Sequence, residues 1–523
     1  MKNFFFIVAL LLLASCQGFD LKRSSEKVDI VGEADGHGMI VLGDKLEDPY
    51  SVENVTKALT SLYASKADRV PVEATDLYVR FLPRDEGEYE LLCSLGLNLL
   101  DHPVDYEILK EGDYYQDPEI GDDRITWQYT VVPVDFVFPD GIHYEILDEC
   151  FIHENTATKA DWVDWNAVEQ EAYRLSGNAD LLSPASKADE GGAVPKGRIV
   201  IKDPDYSSEP IGVKGVKVSC NTFVKFDNAF TDDEGRYVMN RSFNSKLRYR
   251  LVFKNRNGFG IGFNLIVSPA SSSSLGKHPA SGVDYTVDSS SETKLFTRCA
   301  VNNAADDYYS KCKSDLGTMR TPPANLRIWL FQKMASSSAV MMQQGAMVDN
   351  SKIADYLKEY TFILKLFLPD VTIGLAECRS YADIYGVTVH EMAHASHYMI
   401  VGNKYWDKYI DYIISSFISS GFVTYGSGTG DNAGYCEVGE MWAYYMQSML
   451  YSERYTSNPR NFGLDFWFHP QIFLQLDAKG LDKYRIYGVL GTDITNREML
   501  KKKMLSMYPQ YKTAINQAFS RYN

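Results

Sequence analysis

Apolar and polar residues in the first part of the chain follow patterns typical of both helices and strands. Residues 52–66 and 162–175 have apolar positions three and four apart, which indicates helices. Residues 77–81 and 125–132 have the apolar-rich or alternating pattern of strands. We therefore predict that residues 50–182 form an N-terminal accessory domain of mixed helices and strands.

The composition changes in the next segment. Residues 183–197 are rich in Ser, Ala, Gly and Pro, which is typical of a linker. Short strand-like runs follow at 198–201, 216–220 and 236–239. They predict a small β-sandwich over residues 198–290.

Two stretches of this predicted sandwich resemble a known module. They are residues 210–218, Pro-Ile-Gly-Val-Lys-Gly-Val-Lys-Val, and residues 231–237, Thr-Asp-Asp-Glu-Gly-Arg-Tyr. Together they resemble the transthyretin-like, carboxypeptidase-regulatory-type domain, in which the second pattern forms a turn between two strands. The resemblance implies an accessory module that carries no catalytic residues.

Helical periodicity dominates the remaining residues. Besides the two helices that carry the candidate chemistry, we predict helices at 352–366, 405–419 and 497–519. Residues 421–431 are rich in glycine and form either a mobile lid or a plain connector. Residues 370–375 are predicted to be an edge strand on which an extended peptide could lie.

Together these patterns predict a multidomain α+β protein whose C-terminal domain, residues 300–523, is mainly helical. The chain has 523 residues, of which 45% are hydrophobic and 13% aromatic, so it can bury real cores and is not intrinsically disordered. Its net charge of −16 argues against nucleic acid or an anionic membrane surface as a partner, because either would require a basic face.

The cysteine spacing argues against a cysteine-based metal or redox site. Eight cysteines are scattered along the chain without a CxxC pair. Apart from Cys16, we expect mostly buried single thiols. Cys299 and Cys312 are the pair best suited to a disulfide.

Residues 1–16 have the pattern of a bacterial export signal. A short basic start precedes the apolar residues 4–14, and Leu-Ala-Ser-Cys at 13–16 resembles a lipobox. The resemblance implies cleavage before Cys16 and attachment of lipid to it, and the alternative is a plain secretory signal. Residues 17–49 are polar, as expected of a tether. We expect an exported protein that is lipid-anchored to the bacterial outer membrane, at its periplasmic face or at the cell surface.

Residues 390–394, His-Glu-Met-Ala-His, are the main candidate for chemistry. Residues four apart lie on one face of a helix, so His390 and His394 can direct both imidazoles at one metal ion, with Glu391 beside it. Zinc takes three protein ligands in catalytic sites, so one ligand remains to be found. The alternative is a pair of ordinary surface or core histidines.

The third ligand is sought in residues 434–446, where apolar residues at helical spacing indicate a second helix. Glu437 and Glu440 lie three apart on this helix. A buried carboxylate pair at this spacing repels itself unless a cation lies nearby. The alternative is that both glutamates are solvated.

An HExxH helix completed by a glutamate from a second helix resembles the gluzincin metallopeptidases. In their aminopeptidase branch this glutamate is followed by two residues, Ala, any residue and Tyr, as in Glu-Met-Trp-Ala-Tyr-Tyr at 440–445. The resemblance implies that His390, His394 and Glu440 bind Zn²⁺ and that Glu437 braces a zinc histidine through its far nitrogen. Met441 replaces the family's glycine and the upstream recognition motif is missing, so aminopeptidase specificity is not implied.

Three further residues are candidates for supporting roles. His397 lies two turns from His390, about 10.5 Å along the axis, which is too far for a bond of about 2.1 Å to the same ion. We expect it beside the ligands or facing the substrate. The family stabilises the oxyanion of its reaction with a Tyr or His beyond the glutamate helix, which implies Tyr451 or His469 here. For His469 the alternative is a packing role.

The implied function is peptide hydrolysis by a zinc-dependent, gluzincin-like metallopeptidase in which Glu391 is the general base. Its partners would be a protein or peptide substrate, including glycoproteins, and the membrane through Cys16. The alternative is a surface adhesin or nutrient-binding lipoprotein with a degenerate zincin domain. The intact HExxH pattern favours the enzyme, because a binding protein has no need of Glu391.

Overall fold

The structure is a computed structural model that describes residues 39–522, apart from 65–69, 122–123, 157–159, 161, 183–191, 263–269, 290–292, 315–316, 333, 347–367, 421–422 and 424. The export signal with Cys16, most of the tether and linker, and the predicted helix at 352–366 lie outside the described residues. Within them helices and strands are mixed and the C-terminal region is helical, which confirms the coarse fold class.

The N-terminal unit combines a three-stranded sheet, a two-stranded ribbon and three helices. Its elements are β1 (Val41–Lys45), α1 (Val52–Tyr63), β2 (Asp76–Leu82), α2 (Glu86–Ser94), β3 (Tyr106–Lys110), β4 (Gln128–Pro133), β5 (His143–Cys150) and α3 (Trp165–Leu175). β2 lies between β4 and β5 and is antiparallel to both, while β1 pairs with β3. α3 begins later than predicted because the Asp164 carboxylate caps it, accepting a hydrogen bond from the Ala167 N–H at 3.1 Å.

The described residues of the middle unit contain nine strands. They are β6 (Lys196–Ile201), β7 (Ile211–Gly212), β8 (Lys217–Thr222), β9 (Lys225–Phe230), β10 (Arg236–Val238), β11 (Leu247–Val252), β12 (Gly260–Gly262), β13 (Ser272–His278) and β14 (Tyr285–Val287). β6 pairs with β7, β10 and β14, and a second sheet has the order β13-β11-β8-β9. The predicted turn at 231–237 joins β9 to β10, and the Asp232 carboxylate accepts the N–H groups of Glu234 and Arg236.

The middle and C-terminal units share one hydrophobic core. The next elements are α4 (Thr293–Lys311), β15 (Lys313–Ser314), β16 (Gly317–Thr318), β17 (Arg327–Phe331), β18 (Ser338–Ala339) and β19 (Val371–Gly374). β12, from the predicted sandwich, pairs in parallel with β17. Val218 on β8 and Ile328 on β17 belong to the same buried cluster. The two units are therefore packed as one body.

The predicted edge strand at 370–375 is an interior strand. It corresponds to β19, which lies between β17 and β18 and whose four residues are all buried. β18 pairs with β19 in antiparallel orientation and so occupies the edge of β19 to which an extended peptide would have to bond. The prediction of a free edge is therefore wrong.

The C-terminal region is built on two long helices. Its helices are α5 (Tyr381–Ser419), α6 (Ala433–Arg454), α7 (Gln471–Asp477), α8 (Lys483–Tyr487), α9 (Arg497–Met507) and α10 (Lys512–Ser520). α5 contains both the HExxH segment and the predicted helix at 405–419, with a kink at Gly402, where φ is 68°. The predicted helix at 497–519 is divided into α9 and α10 by Pro509, because proline lacks the N–H that a helix interior requires.

The cysteines after Cys16 are free thiols, which confirms the prediction of single thiols. Cys299 and Cys312 are both buried and do not form a bridge. In the described part of the chain, no helix combines the length and the apolar character needed to cross a bilayer.

Candidate metal centre

Two helices bring the candidate ligands together. α5 begins with a reciprocal cap: the Asp383 N–H donates to Ser380 Oγ and the Ser380 N–H donates to the Asp383 carboxylate, both at 3.1 Å. Further along, the indole N–H of Trp442 on α6 donates to the Ala393 carbonyl at 3.1 Å. Because Ala393 lies inside the HExxH segment, this bond holds α6 directly against it.

His390, His394 and Glu440 form a compact, buried group. The Nε2 atoms of His390 and His394 are 3.1 Å apart. Glu440 Oε2 is 3.5 Å from His390 Nε2, and Glu440 Oε1 is 3.5 Å from His394 Nε2. None of the three side chains is more than 3% exposed. The residues that the sequence predicts as ligands therefore meet at one point where a metal ion could be held.

The distances between the donor atoms fit a tetrahedral ion. Two tetrahedral ligands with zinc bonds of about 2.0–2.1 Å lie about 3.3 Å apart. The two Nε2 atoms are 3.1 Å apart, and each lies 3.5 Å from a different oxygen of the Glu440 carboxylate, so the three donor groups lie close to that spacing. Two imidazoles and one carboxylate also form a donor set found in catalytic zinc sites. The residues present therefore fit zinc, and the same donors suit other divalent transition metals.

Three side chains absent from the predicted site orient the ligands. Tyr409 Oη donates to Glu440 Oε1 at 2.6 Å, and Tyr425 Oη donates to Glu440 Oε2 at 3.1 Å. Gln447 Oε1 lies 3.2 Å from Nδ1 of His390. These bonds hold the carboxylate and one imidazole in place, as partners of metal ligands commonly do.

The sequence contains a signal for one of these three residues. Gln447 follows Glu440 by seven positions, which places both on one face of α6. Tyr409 lies beyond the kink of α5, and Tyr425 lies in the glycine-rich segment, so no spacing relates either to Glu440. Close packing of α6 against Tyr409 depends on Gly439, where an added Cβ would lie 3.2 Å from the Tyr409 ring.

Burial and mutual contact shift the pKa values of the ligands. Burial lowers the pKa of His390, although its hydrogen bond with Glu440 opposes that shift. Burial would raise the pKa of the Glu440 carboxyl, but the charge of His394 and hydrogen bonds with both histidines hold it well below its usual range. Glu440 is therefore an ionised carboxylate in a buried site, which is the charge state that a metal ligand needs.

Glu391 follows His390 directly in the chain and lies close enough to Glu440 for their charges to interact. It is fully buried, and neither of its carboxylate oxygens has a hydrogen-bond partner among the described residues. Burial, with the charge of Glu440 in addition, raises its pKa well above the usual value. A buried carboxyl without a partner is costly for folding, which is typical of a residue kept for chemistry.

His397 lies among aromatic rings and outside the ligand group. Its ring centroid is 5.4 Å from that of Tyr405 and 5.9 Å from that of Trp406. Neither of its nitrogens has a hydrogen-bond partner in the described part of the chain. Burial, together with the charge of His394, lowers its pKa to about 3, so this imidazole is neutral. It is fully buried among these rings.

The structure corrects the role predicted for Glu437. Its carboxylate accepts a hydrogen bond from the Arg497 N–H at 2.9 Å and pairs with the Arg497 guanidinium at 3.1 Å. Arg497 is the first residue of α9, and a helix N-terminus favours an anion. Glu437 therefore anchors α9, whereas Gln447 contacts the far nitrogen of His390.

Tyr451 and His469 are not brought to the ligands. The Tyr451 ring packs on Tyr455 and the His469 ring stacks on Tyr522, with 4.7 Å between the ring centroids in each pair. Among the described residues, neither has a hydrogen bond or ring contact with the metal-ligand group. The hydroxyl groups that do lie nearby are those of Tyr409 and Tyr425, which donate to Glu440, and that of Tyr444, 3.2 Å from Tyr425 Oη.

Comparison of the chain with protein-family models, with curated proteins and with solved structures found no match.

Proposed function

We propose that this protein is a zinc-dependent hydrolase that cleaves peptide bonds in proteins or glycoproteins. The observation that carries the proposal is the combination of two imidazoles and an ionised carboxylate within 3.5 Å of one another with Glu391, whose carboxylate is otherwise unused. A site that only held an ion would gain nothing from burying a second carboxyl that has no partner.

Each residue has a defined role in the proposed reaction. Zinc bound by His390, His394 and Glu440 would supply Lewis-acid chemistry that makes a water molecule more acidic. Glu391 would be the general base that accepts a proton from the attacking water and passes it to the leaving amine, because the positive charge of a bound ion would oppose the rise in its carboxyl pKa. The Tyr425 hydroxyl donates its one proton to Glu440 and so orients this carboxylate, and Tyr451 and His469 take no part in the proposed reaction.

The proposal extends to the architecture and location of the chain. We propose that residues 198–290 are a transthyretin-like accessory module and that residues 300–523 form a gluzincin-like unit. We also propose export and lipid attachment at Cys16. Labelled palmitate should be incorporated by the wild type and by Cys93→Ser but not by Cys16→Ser, and equal labelling of the Cys16 variant would refute the anchor.

One observation favours a second candidate function, a metal site with a purely structural role. Glu391, His394 and Glu440 are fully buried, and a catalytic site has to admit water and substrate. A structural metal would stabilise the packing of α5 on α6 without any turnover.

Two measurements separate these candidates. Zinc per chain is measured by mass spectrometry, and casein cleavage is measured for the wild type, Glu391→Gln and the control Glu377→Gln, which changes an exposed glutamate ahead of α5. The proposal predicts about one zinc in each protein and loss of cleavage by at least about 100-fold in Glu391→Gln alone. Zinc retention without cleavage by the wild type would establish the structural role.

A further inference from the structure

A second candidate site lies between the N-terminal sheet and the middle unit. It is a cleft of about 850 Å³, here called the inter-unit cleft. Its walls include Thr75, Asp76 and Thr130 on one side and Phe226, Asp227 and Arg241 on the other. None of the metal ligands lines it. Its volume lies within the range of about 300–1,000 Å³ typical of sites for small organic ligands.

The polar side chains of the inter-unit cleft hold one another in fixed positions. Asn155 Nδ2 donates to both carboxylate oxygens of Asp76, at 3.0 and 2.8 Å, and Asn155 Oδ1 accepts a bond from Arg241 at 2.9 Å. Asn228 Nδ2 donates to Asn98 Oδ1 at 2.9 Å. The Arg241–Asn155 and Asn228–Asn98 hydrogen bonds join the two units across the cleft. The wall groups are therefore preorganised, which reduces the entropy cost of binding a ligand.

One lining residue has an unused hydroxyl. Thr130, on β4, is only 1% exposed, and its Oγ1 atom has no hydrogen-bond partner among the described residues. A buried hydroxyl without a partner carries a free-energy penalty in the unliganded protein. A ligand group that both donates and accepts hydrogen bonds would remove this penalty.

The charges of the inter-unit cleft argue against an anionic ligand. Glu73, Asp76, Asp135 and Asp227 line it, against the single cation of Arg241, so anionic ligands such as phosphates are repelled. The Asp227 carboxylate already accepts three backbone N–H groups, and Asn155 already bonds both oxygens of Asp76. The Asp76 and Asp227 carboxylates are thus satisfied within the protein. Glu73 and Asp135 are exposed to solvent, so no buried carboxylate of the cleft requires a cationic ligand.

The remaining chemistry suits a neutral, hydroxyl-rich molecule. Amide, carboxylate, hydroxyl and guanidinium groups offer donors and acceptors side by side, which matches adjacent hydroxyl groups on a sugar ring. Phe226 and Val131, both partly exposed, add apolar surface on which the C–H face of such a ring can pack. We infer that the inter-unit cleft binds a neutral oligosaccharide, independently of the metal centre.

The test uses the purified full chain and three probes. They are immobilised neutral oligosaccharides of mannose, galactose, glucose and N-acetylglucosamine, sialylated versions of the same glycans, and a lysine-rich peptide. Thr130→Val removes the hydroxyl at nearly constant volume, and Asn228→Ala removes an amide from the opposite wall. Thr286→Val, an exposed threonine on β14 outside the cleft, is the matched control.

The inference predicts that a neutral oligosaccharide binds and that Thr130→Val weakens this binding by about threefold to tenfold, the loss of one hydrogen bond. Asn228→Ala should weaken it similarly, and Thr286→Val should leave it unchanged. The inference is overturned if no neutral oligosaccharide binds, if only the peptide or the sialylated glycans bind, or if both cleft variants bind as the wild type does.

Discussion

The hydrogen bond from Tyr409 to Glu440 offers a direct test of the metal centre. The two oxygen atoms are 2.6 Å apart, which is a short hydrogen bond, and both residues are buried. Tyr409→Phe removes the hydroxyl and leaves the ring in place. A hydrogen bond to a charged group contributes about 1.5–3 kcal/mol, and loss of a partner of a metal ligand lowers metal affinity by about 10- to 100-fold.

We therefore expect Tyr409→Phe to bind zinc about 10- to 100-fold more weakly than the wild type. The assay is competition for zinc against a chromophoric chelator at fixed pH and ionic strength. Tyr405→Phe is the matched control, because its hydroxyl is equally buried on the same half of α5 but donates to the Ile494 carbonyl at 2.9 Å. That variant should lose stability without losing zinc affinity.

Two outcomes would refute this reasoning. Unchanged zinc affinity in Tyr409→Phe would mean that Glu440 is not a ligand or that its orientation does not depend on Tyr409. An equal loss of affinity in Tyr405→Phe would mean that general loosening of α5, and not the bond to Glu440, controls metal binding. The double variant Tyr409→Phe/Tyr425→Phe should bind more weakly than either single variant, because it leaves neither phenol bonded to Glu440.

Two further predictions concern packing and pH. Gly439→Ala should lower zinc affinity severalfold, because its new Cβ would lie 3.2 Å from the Tyr409 ring and displace it. The free energy of unfolding should change by less than about 1 kcal/mol, because alanine favours the helix and offsets the cost of this contact. Unchanged affinity would contradict it. Burial raises the pKa of Asp370 from 3.8 to about 6, so the folded state binds its proton more tightly than the unfolded state does. The free energy of unfolding should therefore fall by roughly 2 kcal/mol for this group as pH rises from about 4 to about 6, out of about 3 kcal/mol over its whole titration. Urea titrations across that range should show a smaller fall in Asp370→Asn, and an identical slope would rule out this residue.

The sequence predicts the local part of the site because helical geometry relates residues that are close along the chain. His390, Glu391 and His394 follow from the spacing of one helical turn, and Glu440 follows from its motif on a second amphipathic helix. Helical spacing did not identify the residue that contacts the far nitrogen of His390, because Glu437 and Gln447 are both suitably spaced from Glu440 on α6. The rotation of α6 about its axis decides between them, and contacts with Ala393 and Arg497 set that rotation.

Other features depend on parts of the chain that are distant in sequence. Tyr409 and Tyr425 reach Glu440 only because α5 bends at Gly402 and the following segment returns over α6. β19 is an interior strand because it pairs with β18. β18 has two residues, which is too short to show the alternation of apolar and polar positions that predicts a strand. The inter-unit cleft likewise exists only where the N-terminal sheet meets the middle unit.

The sequence alone predicts the mixture of helices and strands and the two histidines of the candidate site, because periodicity and motif spacing express backbone geometry over a few residues. The choice of Glu440 as the third candidate ligand came from the family resemblance. Only the tertiary structure decided which side chains orient those ligands, which strand is an edge and where a cleft opens. These depend on helix rotation and sheet pairing, which arise from the packing of the whole core and are not encoded in any short stretch of the chain.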